Sequence, residues 1–232
     1  MITARCHPAL LPILPPPVPA AKTLPDWLRE MPSEAPADLL DGEAVRTLKH
    51  CPPILDAMGA GVLVPLATDL TVENGEISWD WDPPVLPETL ISRAPIGMHV
   101  PEQAKGAPFG LTDGMVVKFL NFWTFEVPEG YSLLFTHPLN RPDLPFRTLA
   151  GLVDCDGFRD GYVHFPALWP DPDWQGVLPA GTPVAQVVAV PREAQGLTIL
   201  PMTEAQVAAN RDVQEALQTR RGVYRKEHRH RS

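Results

Sequence analysis

The stretch "GVLVPLATDLTVENGEISWDW" (Gly61–Trp81) decides the fold class of this 232-residue chain. An apolar run ends at Pro65, and two further runs, "LTV" and "EISWDW", flank Asn74-Gly75. Asn and Gly both tolerate positive φ, so this pair predicts a two-residue turn that folds the flanking runs into a β-hairpin. Similar short runs recur on the C-terminal side: "GMHV" (97–100), "MVVKFLNFWTFEV" (115–127), "YSLLFTHP" (131–138), "GYVHFPALW" (161–169) and "PVAQVVAV" (183–190). Turn residues separate them. Spacing of this kind predicts an antiparallel sandwich or barrel rather than βαβ units.

Composition agrees. The chain holds 29 prolines against 16 glycines, and proline is excluded from helix interiors and central strands. Short strands joined by rigid loops are therefore expected, with few long helices. Residues 1–47 read as an extended proline-rich arm, in which "LPPPVP" favours polyproline II and "LPDWLREMP" adds a helical turn whose Trp27 and Leu28 clip the arm to the body. Residues 48–191 form the strand-rich domain. Residues 192–232 hold one clear helix, "TEAQVAANRDVQEALQTRR", with Thr203 as its N-cap, Val207, Val213 and Leu217 at helical spacing, and Gly222 as a stop.

Charge is unevenly placed. Net charge is −9, yet beyond Thr219 six basic residues, Arg231 among them, face one acid, Glu227. The acidic body argues against a nucleic-acid-binding surface, and the basic tail reads as a solvated terminus. Cys6, Cys51 and Cys155 are odd in number and lack metal-type spacing, which points to a reducing, cytoplasmic setting. Prolines at 8, 12, 15, 16, 17 and 19 break the apolar stretch that would otherwise mimic a secretory signal. No run approaches the roughly 20 apolar residues of a membrane span.

Four stretches, in order, carry a family resemblance: "AGVLVPLATDLTVENG" (60–75), "VPEGYSLLFT" (127–136), "AGLVDCDGFRDGYVHF" (150–165) and "LPAGTPVAQVV" (178–188). Together they resemble the motifs of the dUTPase and dCTP deaminase superfamily, whose all-β fold is a distorted barrel called a β-clip. The segments "CPPILDAMGAGVLVPL" and "GYSLLFTHPLNRPDLPFRT" are also similar to an uncharacterised family of bacteria and tailed phages, a likeness that brings no activity with it. The superfamily resemblance implies a β-clip domain, self-association as a trimer, and a nucleotide or other small anionic ligand. It makes Asp154 the carboxylate that activates water or holds the sugar hydroxyl, with Asp156 beside it. It carries Asn140, Arg141, Arg147, Phe158 and Gln186 as the ligand-binding set. Several departures accompany it. Leu63 stands where the first motif places an Asp, and "HPLNRPDLPFRT" replaces the phosphate-gripping Arg-Ser-Gly. Gly157 is an extra residue, Phe158 replaces a stacking Tyr, and the glycine-rich C-terminal arm is absent.

Each candidate has a structural alternative. Asp154 and Asp156 lie on one side of an extended segment and can converge, but Asp residues in turns commonly bond their own backbone. Arg141 and Arg147 offer bidentate forks for phosphate, or Arg141 pairs with Asp143 within a proline-rich loop. Trp79, Trp81, Trp123, Trp169 and Trp174 can stack a base, or fill the core. His99, His137 and His164 sit in or beside predicted strands. They are a metal set only if the fold gathers them; isolated strand histidines otherwise satisfy local hydrogen bonds. The sequence names no cofactor. Three readings follow: a divergent dUTPase-like protein binding a nucleotide or small anion, a non-catalytic structural or interaction protein, and a histidine-based metalloenzyme. The nucleotide reading rests on a strand arrangement that brings the 154–158 corner toward the 140–147 loop.

Overall fold

A computed structural model describes residues 1–86, 92–107 and 115–229; Arg231 of the basic tail lies outside them. The chain divides into two compact units, Met1–Arg192 and Glu193–Ser232.

The first unit is mainly β. In chain order its strands are β1 (Thr3–Arg5), β2 (Val18–Pro19), β3 (Glu34–Ala37), β4 (Glu43–Arg46), β5 (Val62–Pro65), β6 (Leu70–Glu73), β7 (Glu76–Ser78), β8 (Ile96–Met98), β9 (Met115–Phe119), β10 (Thr124–Glu126), β11 (Tyr131–Thr136), β12 (Arg147–Thr148), β13 (Gly151–Val153), β14 (Phe165–Trp169), β15 (Gly176–Leu178) and β16 (Pro183–Pro191). Every pairing among them is antiparallel. The largest sheet runs β13-β11-β16-β5-β2, and a second runs β12-β14-β9-β8. Three smaller sheets complete the unit, and none closes into a barrel among the described residues.

Local chemistry explains most of these elements. The β6–β7 hairpin turns at Asn74 and Gly75, with φ of 53° and 78°, as the sequence predicts. The run "MVVKFLNFWTFEV" does not form one strand. The Asn121 side chain accepts the Trp123 N–H at 3.0 Å and donates to the Trp123 carbonyl at 2.6 Å. That local ring replaces ladder bonds and splits the run into β9 and β10.

Two short helices belong to the same unit. Helix α1 (Asp26–Glu30) buries Leu28. Helix α2 (Pro52–Gly59) has no counterpart among the expected elements. Its two prolines sit in the first turn, where their missing N–H costs nothing.

Leu133 and Phe135 of β11 meet Val187 of β16, Val117 and Phe119 of β9 and Phe165 of β14 in one core. Aromatic rings bind its layers. Phe119 and Phe146 meet edge to face at 4.7 Å, and Phe125 and Phe135 do so at 5.8 Å. Trp123 and Trp169 are buried in this core, whereas Trp79 is partly exposed. Leu10 and Leu14, from the N-terminal segment, also lie in the core.

In the second unit, α3 (Glu204–Thr219) starts at a capping box in which Thr203 Oγ1 accepts the Gln206 N–H at 3.3 Å. It ends at Thr219, before Gly222. No helix of the described residues is long and apolar enough to cross a membrane.

Candidate functional site

Beyond β13 the chain makes a tight corner. The Cys155 N–H donates to the Val153 carbonyl at 2.9 Å, and the Gly157 and Phe158 N–H groups donate to the Asp154 carbonyl at 3.1 and 2.8 Å. Cys155 is completely buried there. Burial, with the flanking aspartates, pushes its thiol up to about 11, so it supplies no thiolate at neutral pH.

The two carboxylates are engaged from within. Asp154 Oδ1 accepts the hydroxyl of the buried Ser132 at 2.6 Å. Asp156 receives the guanidinium of Arg192, Nη2 to Oδ2 at 2.5 Å and Nη1 to Oδ1 at 3.0 Å. Arg192 Nη1 also donates to the Tyr131 carbonyl at 2.8 Å and lies 3.5 Å from Asp154 Oδ1. The Gly130 and Gly157 N–H groups add hydrogen bonds to Asp156 at 3.1 and 2.9 Å. The Arg192 fork leads these effects in holding the Asp156 carboxyl down to about 2, against the opposing pull of desolvation. Phe158 is half exposed, and its ring lies over Gly161, where a Cβ would stand 2.1 Å from it.

The 137–147 loop is likewise internally bonded. Asn140 adopts the left-handed conformation, φ 57°, within a turn closed by the Arg141 N–H on the Pro138 carbonyl at 3.2 Å. Arg141 grips Asp143 through Nε at 2.9 Å and Nη2 at 2.7 Å. Burial alone would raise the Asp143 carboxyl, but the Arg141 hydrogen bonds and charge, together with smaller hydrogen bonds, hold it below its ordinary value. Arg147 Nη1 donates to the Leu144 and Phe146 carbonyls at 2.7 and 2.8 Å. Gln186 is buried, its amide donating to the Ala57 and Ala60 carbonyls and its carbonyl accepting the Leu139 N–H.

The strand register separates these two groups. On β11, Tyr131 pairs with Pro191 and Leu133 with Val153, which puts the aspartate corner at the start of the strand. The loop begins at its other end, after Thr136. Five steps of an extended strand span about 17 Å. The expected convergence of the 154–158 corner and the 140–147 loop therefore does not occur within one chain. Beside the corner, Glu126, Glu129, Asp156 and Arg159 line an open groove of about 470 Å³. Glu126 pairs with Arg5 and Asp156 with Arg192, so the groove's charge is largely balanced.

The histidines stay apart. His137 Nε2 donates to the Arg141 carbonyl at 3.0 Å and its Nδ1 accepts the Thr148 N–H at 3.3 Å. His164 Nδ1 accepts the Asn121 N–H at 3.1 Å, and His99 Nδ1 meets Gln103 Oε1 at 3.1 Å. Among the described residues no group of three His, Cys, Asp or Glu is placed to hold a metal ion. The metalloenzyme reading loses its geometric basis.

Arg192 and Ser132 are the members of the site that sequence reasoning missed. Their signal lies in the pairing of β11 with β16, which sets Tyr131 opposite Pro191 and so brings Arg192 over the corner.

No family model matches the sequence, and no curated protein matches it. Among solved structures, the dUTPase of Staphylococcus bacteriophage 80alpha is 14% identical over 63% of this chain and 85% of its own, with a TM-score of 0.32. A form of the same phage enzyme with dUpNHpp is 16% identical over 40% of this chain and 69% of its own, with a TM-score of 0.29. The dUTPase from phage phi11 of S. aureus is 17% identical over 40% of this chain and 76% of its own, again at 0.29. Likenesses at these scores add nothing to the fold described above.

Proposed function

We propose that this chain is a non-catalytic interaction protein built on a dUTPase-like β fold. One observation carries the reading: Asp156 is spent in a bidentate ion pair with Arg192. A general base must be free to take a proton near the working pH; a carboxyl held down to about 2 is a poor base at neutrality, and Asp154 beside it already accepts the Ser132 hydroxyl and lies 3.5 Å from the same guanidinium. An anionic ligand would need an unengaged cation. Arg192 is paired with Asp156, Arg141 with Asp143, and Arg147 with main-chain carbonyls. Self-association belongs to the same reading, because Leu152 on the edge strand β13 and Phe158 in the corner present exposed apolar surface.

The test is a thermal-melt series of the purified full chain with each deoxynucleoside triphosphate. A ligand bound only to the folded state raises Tm, so no shift is expected. A reproducible rise with one nucleotide, lost in Asp154→Asn, overturns the reading in favour of ligand binding. Sedimentation equilibrium tests the second half: a monomer at all accessible concentrations removes self-association.

A further inference from the structure

We propose that the Asp154–Asp156 corner is a guanidinium-binding site, with Arg192 as its occupant in cis. Its acceptors converge on one planar fork: both Asp156 oxygens, the Tyr131 carbonyl and, at longer range, Asp154 Oδ1. Each is also held from the protein side, so the guanidinium completes a partly ordered site. Two glycine N–H groups orient Asp156, the buried Ser132 hydroxyl orients Asp154, and the β11–β16 ladder fixes Tyr131. This is the arrangement that distinguishes a guanidinium from an ammonium, since only a flat, multi-donor cation fills several in-plane acceptors together.

Arg192 is also the last residue of the first unit. Its own N–H donates to the Gly130 carbonyl at 2.9 Å, so the main chain is anchored separately from the side chain. Removing the side chain therefore empties the site without freeing the end of β16. The site takes an arginine side chain or a simple guanidinium, and its acceptors, all carboxylate or carbonyl oxygens, suit such a cation and not a phosphate. This inference deepens the non-catalytic reading and rests on the same ion pair, but its test is separate.

Amide hydrogen exchange at Gly130 and Gly157, whose N–H groups bind Asp156, reports on the site directly. In full-length Arg192→Ala, exchange at both is expected to quicken. Millimolar methylguanidinium should slow it again, while methylammonium at the same ionic strength should not. Unchanged exchange in the variant, or equal reversal by both salts, overturns the proposal. Should the alanine variant not fold, Arg192→Gln carries the same comparison with the same deciding outcomes. A nucleotide-induced shift in the unaltered protein would overturn the non-catalytic reading and leave this result standing.

Discussion

The side-chain carbonyl of Gln186 accepts the Leu139 N–H at 2.9 Å, while its amide donates to the Ala57 and Ala60 carbonyls at 2.9 and 2.7 Å. A single buried glutamine thus joins the middle of β16 to the start of the 137–147 loop and to the end of α2. Truncating one partner of a buried hydrogen bond strands the other without water. In Gln186→Leu, the Leu139 N–H and the Ala60 carbonyl lose this partner at once, and the Ala57 carbonyl keeps only the Ala60 N–H at 3.3 Å. A loss of about 2–4 kcal/mol in urea unfolding is expected, and a change near zero would show that these groups find other partners.

Asp156 sets a second expectation, in acid. Its carboxyl is held at about 2 in the folded chain, below its ordinary 3.8. A depressed carboxyl stabilises the fold fully above its unfolded value, and that contribution disappears as pH falls through the folded value. Stability of the unaltered protein should therefore drop between about pH 4 and pH 2 more steeply than that of Asp156→Asn. Parallel stability–pH curves for the two proteins would contradict the ion pair.

His137 and His164 act at milder pH. Burial leads in lowering both below the ordinary 6.5, with Arg147 and Arg141 adding to it at His137 and Lys118 at His164. The fold is favoured while these rings are neutral. Stability is complete above about pH 6.5 and declines as pH falls toward the folded values. Replacing either by Gln should flatten the pH 5–7 portion of a chemical-denaturation series, an interval taken from the ordinary histidine value of about 6.5.

Gly61 and Gly75 share a left-handed backbone, with φ of 68° and 78°, but not the same surroundings. A Cβ at Gly61 would stand 1.9 Å from the Val187 carbonyl oxygen, whereas one at Gly75 meets nothing within 4 Å. Gly75→Ala should cost about 1 kcal/mol of backbone strain. Gly61→Ala must also push β5 away from β16 and should cost at least about 3 kcal/mol, or abolish soluble expression. Equal melting temperatures for the two variants would refute this.

Much of the fold was legible because its determinants are local. Asn74-Gly75 names its own turn, and Thr203 with Gln206 names the start of α3. The pairing of Arg141 with Asp143, two residues apart, stood among the sequence alternatives for the same reason. Other local signals were misread. Asn121 reads as one polar residue in an apolar run, yet its side chain interrupts the strand. Helix α2, opened by Pro52 and Pro53, had no counterpart among the expected elements.

The candidate site shows where such reading ends. That Asp154 and Asp156 occupy a turn after a strand follows from residues within a few positions of one another, through sterics and short-range hydrogen bonds. Which cation meets them does not. Arg192 lies 36 residues from Asp156, and Gln186 lies 129 from Ala57. Those meetings, and the separation of the corner from the 140–147 loop, depend on how β11 pairs with β13 and β16. Register is selected by burying Leu133, Phe135 and Val187 in a shared core, and a one-residue slip would turn each of them outward. Burial on that scale is a property of all the packed strands together, so the partners of the two aspartates emerge only once the sheet has formed.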